Sequence, residues 1–143
     1  MKGIRRAGPS DLVALARLNE QLGYPATESE LRERLEPILA SDEDALLVAV
    51  DGAEPIGWIH VAIERGLEAS AVAGLRGLVV DEAHRSGGVG RSLVRAAEAW
   101  ARERGCRIVT VRSRITRDRA RRFYEREGFV HVKTSNVFSK PLV

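Results

Sequence analysis

Arg85-Ser86-Gly87-Gly88-Val89-Gly90 lies between two patterns that decide the fold. Before it, Leu75 to Val80 is an apolar run of strand length. After it, Val89, Leu93, Val94, Ala97, Trp100 and Ala101 recur on one face of a helix that Gly105 stops. A glycine-rich turn between strand and helix points several backbone N–H groups at one spot. The helix N-terminus adds positive dipole character there. The combination is a socket for a phosphorylated small molecule. Taken alone, a glycine pair that only caps an element fits the turn equally well.

Two phosphate motifs are excluded at once. A Walker A loop ends in Gly-Lys-Ser/Thr, and here Arg91 follows Gly90. A dinucleotide fingerprint needs a third spaced glycine and an acidic residue at the end of the next strand. Leu93 stands where that glycine belongs, and Val109 to Ser113 holds no Asp or Glu.

Working outward, the remaining elements are short and mixed. Ile4 to Ala7 reads as a first strand, and Pro9-Ser10-Asp11 as a helix start with Ser10 as its cap. That helix runs to about Gly23. Thr27-Glu28-Ser29-Glu30 has the capping-box pattern, and a second helix follows with Pro37 set to kink or shorten it. Ala45–Val50 and Pro55–Ile63 flank Asp51-Gly52, which predicts an antiparallel hairpin. Val72–Val80 is the next strand, Arg107–Arg112 the one after the long helix, and Asp118–Glu127 a short helix stopped by Gly128. Phe129–Val132 and Ser135–Phe138 read as closing strands. The order predicts an α/β fold with a mixed, mostly antiparallel sheet, one parallel crossover, and helices on both faces.

At 143 residues the chain reads as one domain, residues 1–143. Its 44% apolar and 30% charged content is that of an ordinary soluble domain, so composition names no activity. The apolar runs fall short of the ~20 residues that span a bilayer, which argues against a membrane partner. The N-terminus lacks the apolar segment of a signal peptide. Cys106 is the lone cysteine, so no internal disulfide forms and a cytoplasmic location fits. The net charge of +3 suits an anionic ligand and, equally, plain solubility.

The Arg-x-x-Gly-x-Gly turn after Leu78-Val79-Val80-Asp81 resembles the acetyl-CoA motif of the GNAT superfamily of N-acetyltransferases. A second segment supports this. Ala120-Arg121-Arg122-Phe123-Tyr124-Glu125-Arg126-Glu127-Gly128-Phe129 carries the Ala-x-x-Phe-Tyr-x-x-x-Gly-Phe pattern common there, in the expected order. The resemblance is specific over Leu75 to Phe129 and looser elsewhere. It implies a GNAT-like acyl-CoA N-acyltransferase fold, acetyl-CoA as co-substrate, no metal, and direct transfer of acetyl to a primary amine.

It also implies roles for residues. The N–H groups of Ser86, Gly87, Gly88, Val89, Gly90 and Arg91 would wrap the CoA pyrophosphate, with Arg85 and Arg91 adding charge. Leu78, Val79 and Val80 would pair with the pantetheine arm like an added strand. An N–H at the strand end, that of Val80, would polarise the thioester carbonyl. Tyr124 would protonate the departing thiolate, since a phenol near pKa 10 still holds its proton at neutral pH.

The chain departs from the family pattern where many members carry a glutamate in the strand before the turn. Gly74 occupies that position, and Arg76 stands close by where others also have an acid. Glu64, Glu68 and His60 are then the candidate bases, each equally readable as an edge residue. Arg117 replaces a frequent asparagine and cannot accept a hydrogen bond.

The acceptor stays open at this point. Glu28, Glu30, Glu33 and Glu36 suit a cationic amine, or simply form a solvated helix face paired with Arg32 and Arg34. The Tyr24-Pro25 turn and Ser135–Phe138 resemble the aminoglycoside-acetylating branch of the family only thinly. Peptide amines, polyamines and amino acids fit as well. Two rival readings remain. One is an acyl-CoA-binding regulatory domain without turnover. The other is a nucleic-acid-binding module built on the arginines from Arg112 to Arg126, against which stands the lack of interleaved aromatic residues. An open sheet edge at the C-terminal strands admits a homodimer.

Overall fold

Five strands form one sheet in the order β1-β2-β3-β4-β5. They are β1 (Lys2–Arg6), β2 (Asp44–Asp51), β3 (Glu54–Glu64), β4 (Val72–Val80) and β5 (Val109–Val111). The helices are α1 (Leu12–Leu22), α2 (Glu28–Ala40), α3 (Val89–Glu103) and α4 (Asp118–Arg126). The structure is a computed structural model and describes residues 2–143. The chain divides into two units, one ending at Arg112 and one spanning Ser113–Val143.

In the first unit, β1 to β4 pair antiparallel and β4 pairs β5 in parallel, as the element order predicts. The β2–β3 hairpin closes through Gly52, whose φ of +64° is the left-handed conformation that a tight hairpin turn demands. Alternation along β2 and β3 then sorts side chains by face. Leu46, Val48 and Trp58 meet α1 and α2 through Leu12, Leu15, Leu31 and Leu35. On the opposite face Leu93 of α3 lies over Gly57, where a Cβ would come within 3.3 Å of Leu93 Cδ1. Helices therefore cover both faces. Fully buried Ile59, Val61, Leu93 and Val94 form the second layer of core.

Helix starts follow local chemistry with one departure. Thr27 accepts from the Glu30 N–H at 3.1 Å and Glu30 accepts from the Thr27 N–H at 3.0 Å, so the capping box forms. Before α1, Ser10 makes no cap. Asp11 takes that place instead, accepting from the Gly8 N–H at 2.8 Å and from Nη1 and Nη2 of Arg5 at 2.8 and 2.9 Å. The Arg5 hydrogen bonds hold the Asp11 carboxyl below its ordinary range, against the opposing effect of burial. A 3₁₀ turn at Pro9–Asp11 precedes α1, which ends at Gly23. Helix α2 runs on through Pro37 to Ala40 and is not shortened.

The parallel strand is shorter than its sequence pattern, with only Val109–Val111 in the ladder. In the second unit α4 ends before Gly128, whose φ is +95°. The two expected closing strands are absent, and residues 129–143 are irregular. Val130, Val132, Val137 and Phe138 are exposed. An alternating apolar pattern becomes a strand only when a neighbour satisfies its amides. No ladder pairing includes these residues.

Candidate functional site

The end of β4 is built to leave backbone groups unused. Its ladder with β5 covers only Ala73, Leu75 and the Gly74–Thr110 pair between them, whereas its ladder with β3 continues to Val80. A bulge between His60 and Val61 in the register leaves Arg76 without an opposite number on β3. Beyond it the strand forks away from β5. The Asp81 N–H donates to the Ile56 carbonyl of the β3 side at 2.8 Å. Since successive residues of a strand direct their N–H and C=O to alternate edges, Val79 points to β3 while Leu78 and Val80 point to the open edge. Leu78, Val79 and Val80 thus divide. Val79 is buried and committed to the sheet, and the amides of the other two are presented outward.

The strand leads into a short 3₁₀ turn, Glu82–His84, and then the glycine turn. Asp81 sets the exit. Its carboxylate accepts from the Ala83 N–H at 3.1 Å and from Arg17 Nη1 at 2.9 Å. The Ala83 N–H leads in lowering its carboxyl below the usual range against burial, with Arg17 and Gln21 helping. Gln21 Oε1 also accepts from the Glu82 N–H at 2.9 Å. So α1 grips the base of the turn from the side.

Ser86 and Gly88 take positive φ, +70° and +80°. Gly88 is the residue before α3, and no side chain caps that helix. The first turn of α3 therefore offers uncapped helix-terminal geometry to an anion. Gly87, Gly88, Ser86 and Arg91 are exposed, Val89 is buried and pins the helix start, and Gly90 is half-buried. Arg85 is half-buried and reaches back so that its Nε lies 3.4 Å from the Val80 carbonyl. One cation escaped sequence reasoning. Lys2 Nζ of β1 sits 3.6 Å from the place a Cβ on Gly87 would occupy. Only the strand order brings β1 to this end of the sheet, so no local motif signals it.

Tyr124 belongs to the second unit. On α4 it packs edge-on against Phe123 and Phe129, with ring centroids 5.2 and 5.5 Å apart. The Phe129 N–H donates to the Tyr124 carbonyl at 3.0 Å. Burial pushes the phenol above its ordinary pKa, so it keeps its proton through neutral pH. Arg117 stands at the N-terminus of α4, its carbonyl accepting from the Arg121 N–H at 3.1 Å.

The candidate bases separate clearly. Glu68 is exposed in the β3–β4 loop. His60 Nε2 is 2.7 Å from Asp44 Oδ1. Burial pushes Asp44 up, but hydrogen bonds from His60 and Ser41 overcome it and hold the carboxyl low. Glu64 lies on the same face of β3, with Arg76 Nη1 at 3.1 Å and Arg112 Nη1 at 3.3 Å. Among the described residues no group of three or more His, Cys, Asp or Glu could hold a metal ion. None of their helices is long and apolar enough to cross a membrane.

A forked strand, a glycine turn and an uncapped helix start follow one another along the chain. The model of the acetyltransferase (GNAT) family matches residues 12–129. An aminoglycoside N(6')-acetyltransferase type 1 of Stenotrophomonas maltophilia is 30% identical over 143 residues, 97% of this chain and 93% of that one. Another of the same description from Klebsiella aerogenes is 32% identical, covering 80% and 78%. The apo crystal structure of an aminoglycoside antibiotic 6'-N-acetyltransferase from Acinetobacter haemolyticus superposes with a TM-score of 0.87 at 25% identity, over 99% of both chains. The chain belongs to the GNAT acetyltransferase family. It is an acetyl-CoA-dependent N-acetyltransferase, and its mixed sheet with one parallel pair is that family's fold.

Proposed function

We propose that residues 1–143 act as one domain that moves acetyl from acetyl-CoA directly to a primary amine of an aminoglycoside-type small molecule. The observation that carries the donor half is the open edge of β4 running into the uncapped start of α3. Pyrophosphate sits on the amides of Ser86 to Arg91, with Lys2 and Arg85 adding charge. The pantetheine arm pairs with the outward amides of Leu78 and Val80. A backbone donor on the thioester oxygen contributes about 2.7–4 kcal/mol to lowering the barrier.

Tyr124 then supplies the proton for the CoA thiolate. Its raised pKa keeps it a donor, and thiolate protonation by a positioned acid is worth about 10²–10⁴ in rate. The acceptor class rests on two relatives named as aminoglycoside acetyltransferases, one of them matched over nearly its whole length. The acidic first turn of α2, with Glu28 and Glu30, suits such a polycation.

The test is amine-dependent thiol release from acetyl-CoA across aminoglycosides, polyamines, amino acids and peptide amines. Saturable release with an aminoglycoside supports the reading. Release with amino acids or peptide amines alone moves the acceptor, and tight CoA binding without release on any amine leaves a binding domain.

A further inference from the structure

Position 74 carries no side chain, yet the space beside it is full. A Cβ built on Gly74 would overlap Glu64 Oε2 and lie 2.5 Å from Glu64 Cδ. Gly74 pairs with Ala62 across β3–β4, so Glu64, two residues along β3, shares its face and leans diagonally over the glycine. A glycine in a strand often marks a close approach by another group, and here that group is a carboxylate. Gly74 takes no positive φ, so the backbone does not require glycine at this place.

The place matters because it is the fork. Gly74 lies in the middle of the three-residue ladder with β5, immediately before β4 turns free. From Arg76 to Val80 the open edge runs five residues, about 17 Å at ~3.3 Å per residue. That is the order of length of an extended pantetheine arm. A cofactor whose pyrophosphate sits at the glycine turn and whose arm follows this edge carries its acyl end toward the fork, away from the Val80 N–H that the family resemblance implies for the thioester.

Glu64 is only 18% exposed. Arg76 on β4 and Arg112 beyond β5 hold Oε2. The Asp44–His60 pair lies one step along the same face, with Nε2 of the imidazole already engaged. Opposite Gly74 on β5, Thr110 has a buried hydroxyl with no hydrogen-bond partner. Arg112 is the more exposed of the two arginines and its contact the longer.

We infer that Glu64 is the carboxylate that receives the acceptor amine, reaching from β3 into the space that Gly74 leaves on β4. This rests on the acetyl-transfer reading above. The ammonium R–NH₃⁺ gives one proton to the Glu64 carboxylate. The freed lone pair forms the C–N bond at the thioester carbon as the C–S bond breaks. The thiolate takes a proton from Tyr124, and the nitrogen sheds its second proton as the amide forms. The Glu64 proton leaves to solvent, and Tyr124 regains one.

The experiment compares Glu64→Gln, Glu64→Ala, and the relocated pair Glu64→Ala/Gly74→Glu, using acetyl-CoA and an aminoglycoside with a free 6'-amine. Glu68→Gln is the control. Folding and donor binding are checked by thermal shift with acetyl-CoA. Expected are a fall of about 10²–10⁴ in kcat/KM for the amine in Glu64→Gln, an unchanged KM for acetyl-CoA, and recovery of at least about tenfold in the relocated pair over Glu64→Ala. Full turnover in Glu64→Gln overturns the inference. So does a relocated pair no better than Glu64→Ala, which would leave Glu64 only as a tether for Arg76 and Arg112. A wild-type chain that releases no thiol on any amine overturns the transfer reading itself, and this inference with it.

Discussion

Replacing Gly88 by alanine isolates what the phosphate turn needs from its backbone. Gly88 has a φ of +80°, and a Cβ there meets nothing within 4 Å. Any effect of Gly88→Ala is therefore conformational and not a clash. An L-residue held in the left-handed region costs about 1–2 kcal/mol. That cost has two places to appear. If the free protein keeps the turn, it appears as lost stability, a fall in Tm of about 3–8 °C for a chain of this size. If the free turn relaxes to negative φ, the amides at the start of α3 lose their aim. CoA must then restore them, and its Kd rises about 5–30-fold, since 1.4 kcal/mol is tenfold. The assay is calorimetric titration of CoA together with a melting curve, against Gly66→Ala. Gly66 has open space and no positive φ, so it reports only the added methyl group. The Tm and Kd effects should together account for about 1–2 kcal/mol. A Gly88→Ala chain that matches Gly66→Ala in both would refute the claim that the left-handed turn builds the anion socket.

Other expectations follow from the same geometry. Tyr124→Phe should lower kcat by about 10²–10⁴ while leaving the KM for acetyl-CoA near wild type, read by steady-state thiol release. Full turnover in that variant would remove Tyr124 as the acid. Because the phenol's pKa is raised, proton donation by Tyr124 should persist through neutral pH and fail only in strong alkali. Asp11→Asn should cost about 1–3 kcal/mol at neutral pH by breaking the paired hydrogen bonds from Arg5. The Asp11 carboxyl is lowered in the folded chain, so this stability is present above the unfolded pKa and drains as pH falls through the folded one. Urea melts of the two chains should therefore converge in acid, and a constant gap down to low pH would contradict the pairing.

What was legible in the sequence was local. The capping box at Thr27 and Glu30, the hairpin at Gly52, and the stops at Gly23, Gly105 and Gly128 depend on residues a few positions apart, and all appear as read. The strand, glycine turn and helix from Leu75 to Glu103 form one contiguous unit for the same reason. What was missed depends on partners far along the chain. Asp11 displaced Ser10 because Arg5 of β1 folds back on it. Lys2 reaches the turn only once β1 joins the sheet edge. Glu64 reads as an edge residue until the β3–β4 register sets it over Gly74. The C-terminal alternation predicted strands because period-two patterning reports a willingness to pair, and pairing needs a neighbour that no local pattern supplies.

On the reading proposed above, the forked β4 edge and the α3 start serve acetyl transfer to an amine. Mass spectrometry of the acceptor tests it most directly, after incubation of the full chain with acetyl-CoA and an aminoglycoside bearing a free 6'-amine. The expected product is the aminoglycoside with a single added acetyl group on one of its amines, matched mole for mole by free CoA thiol. Thiol release with the aminoglycoside left unmodified, or acetyl-CoA bound and returned intact, would contradict it.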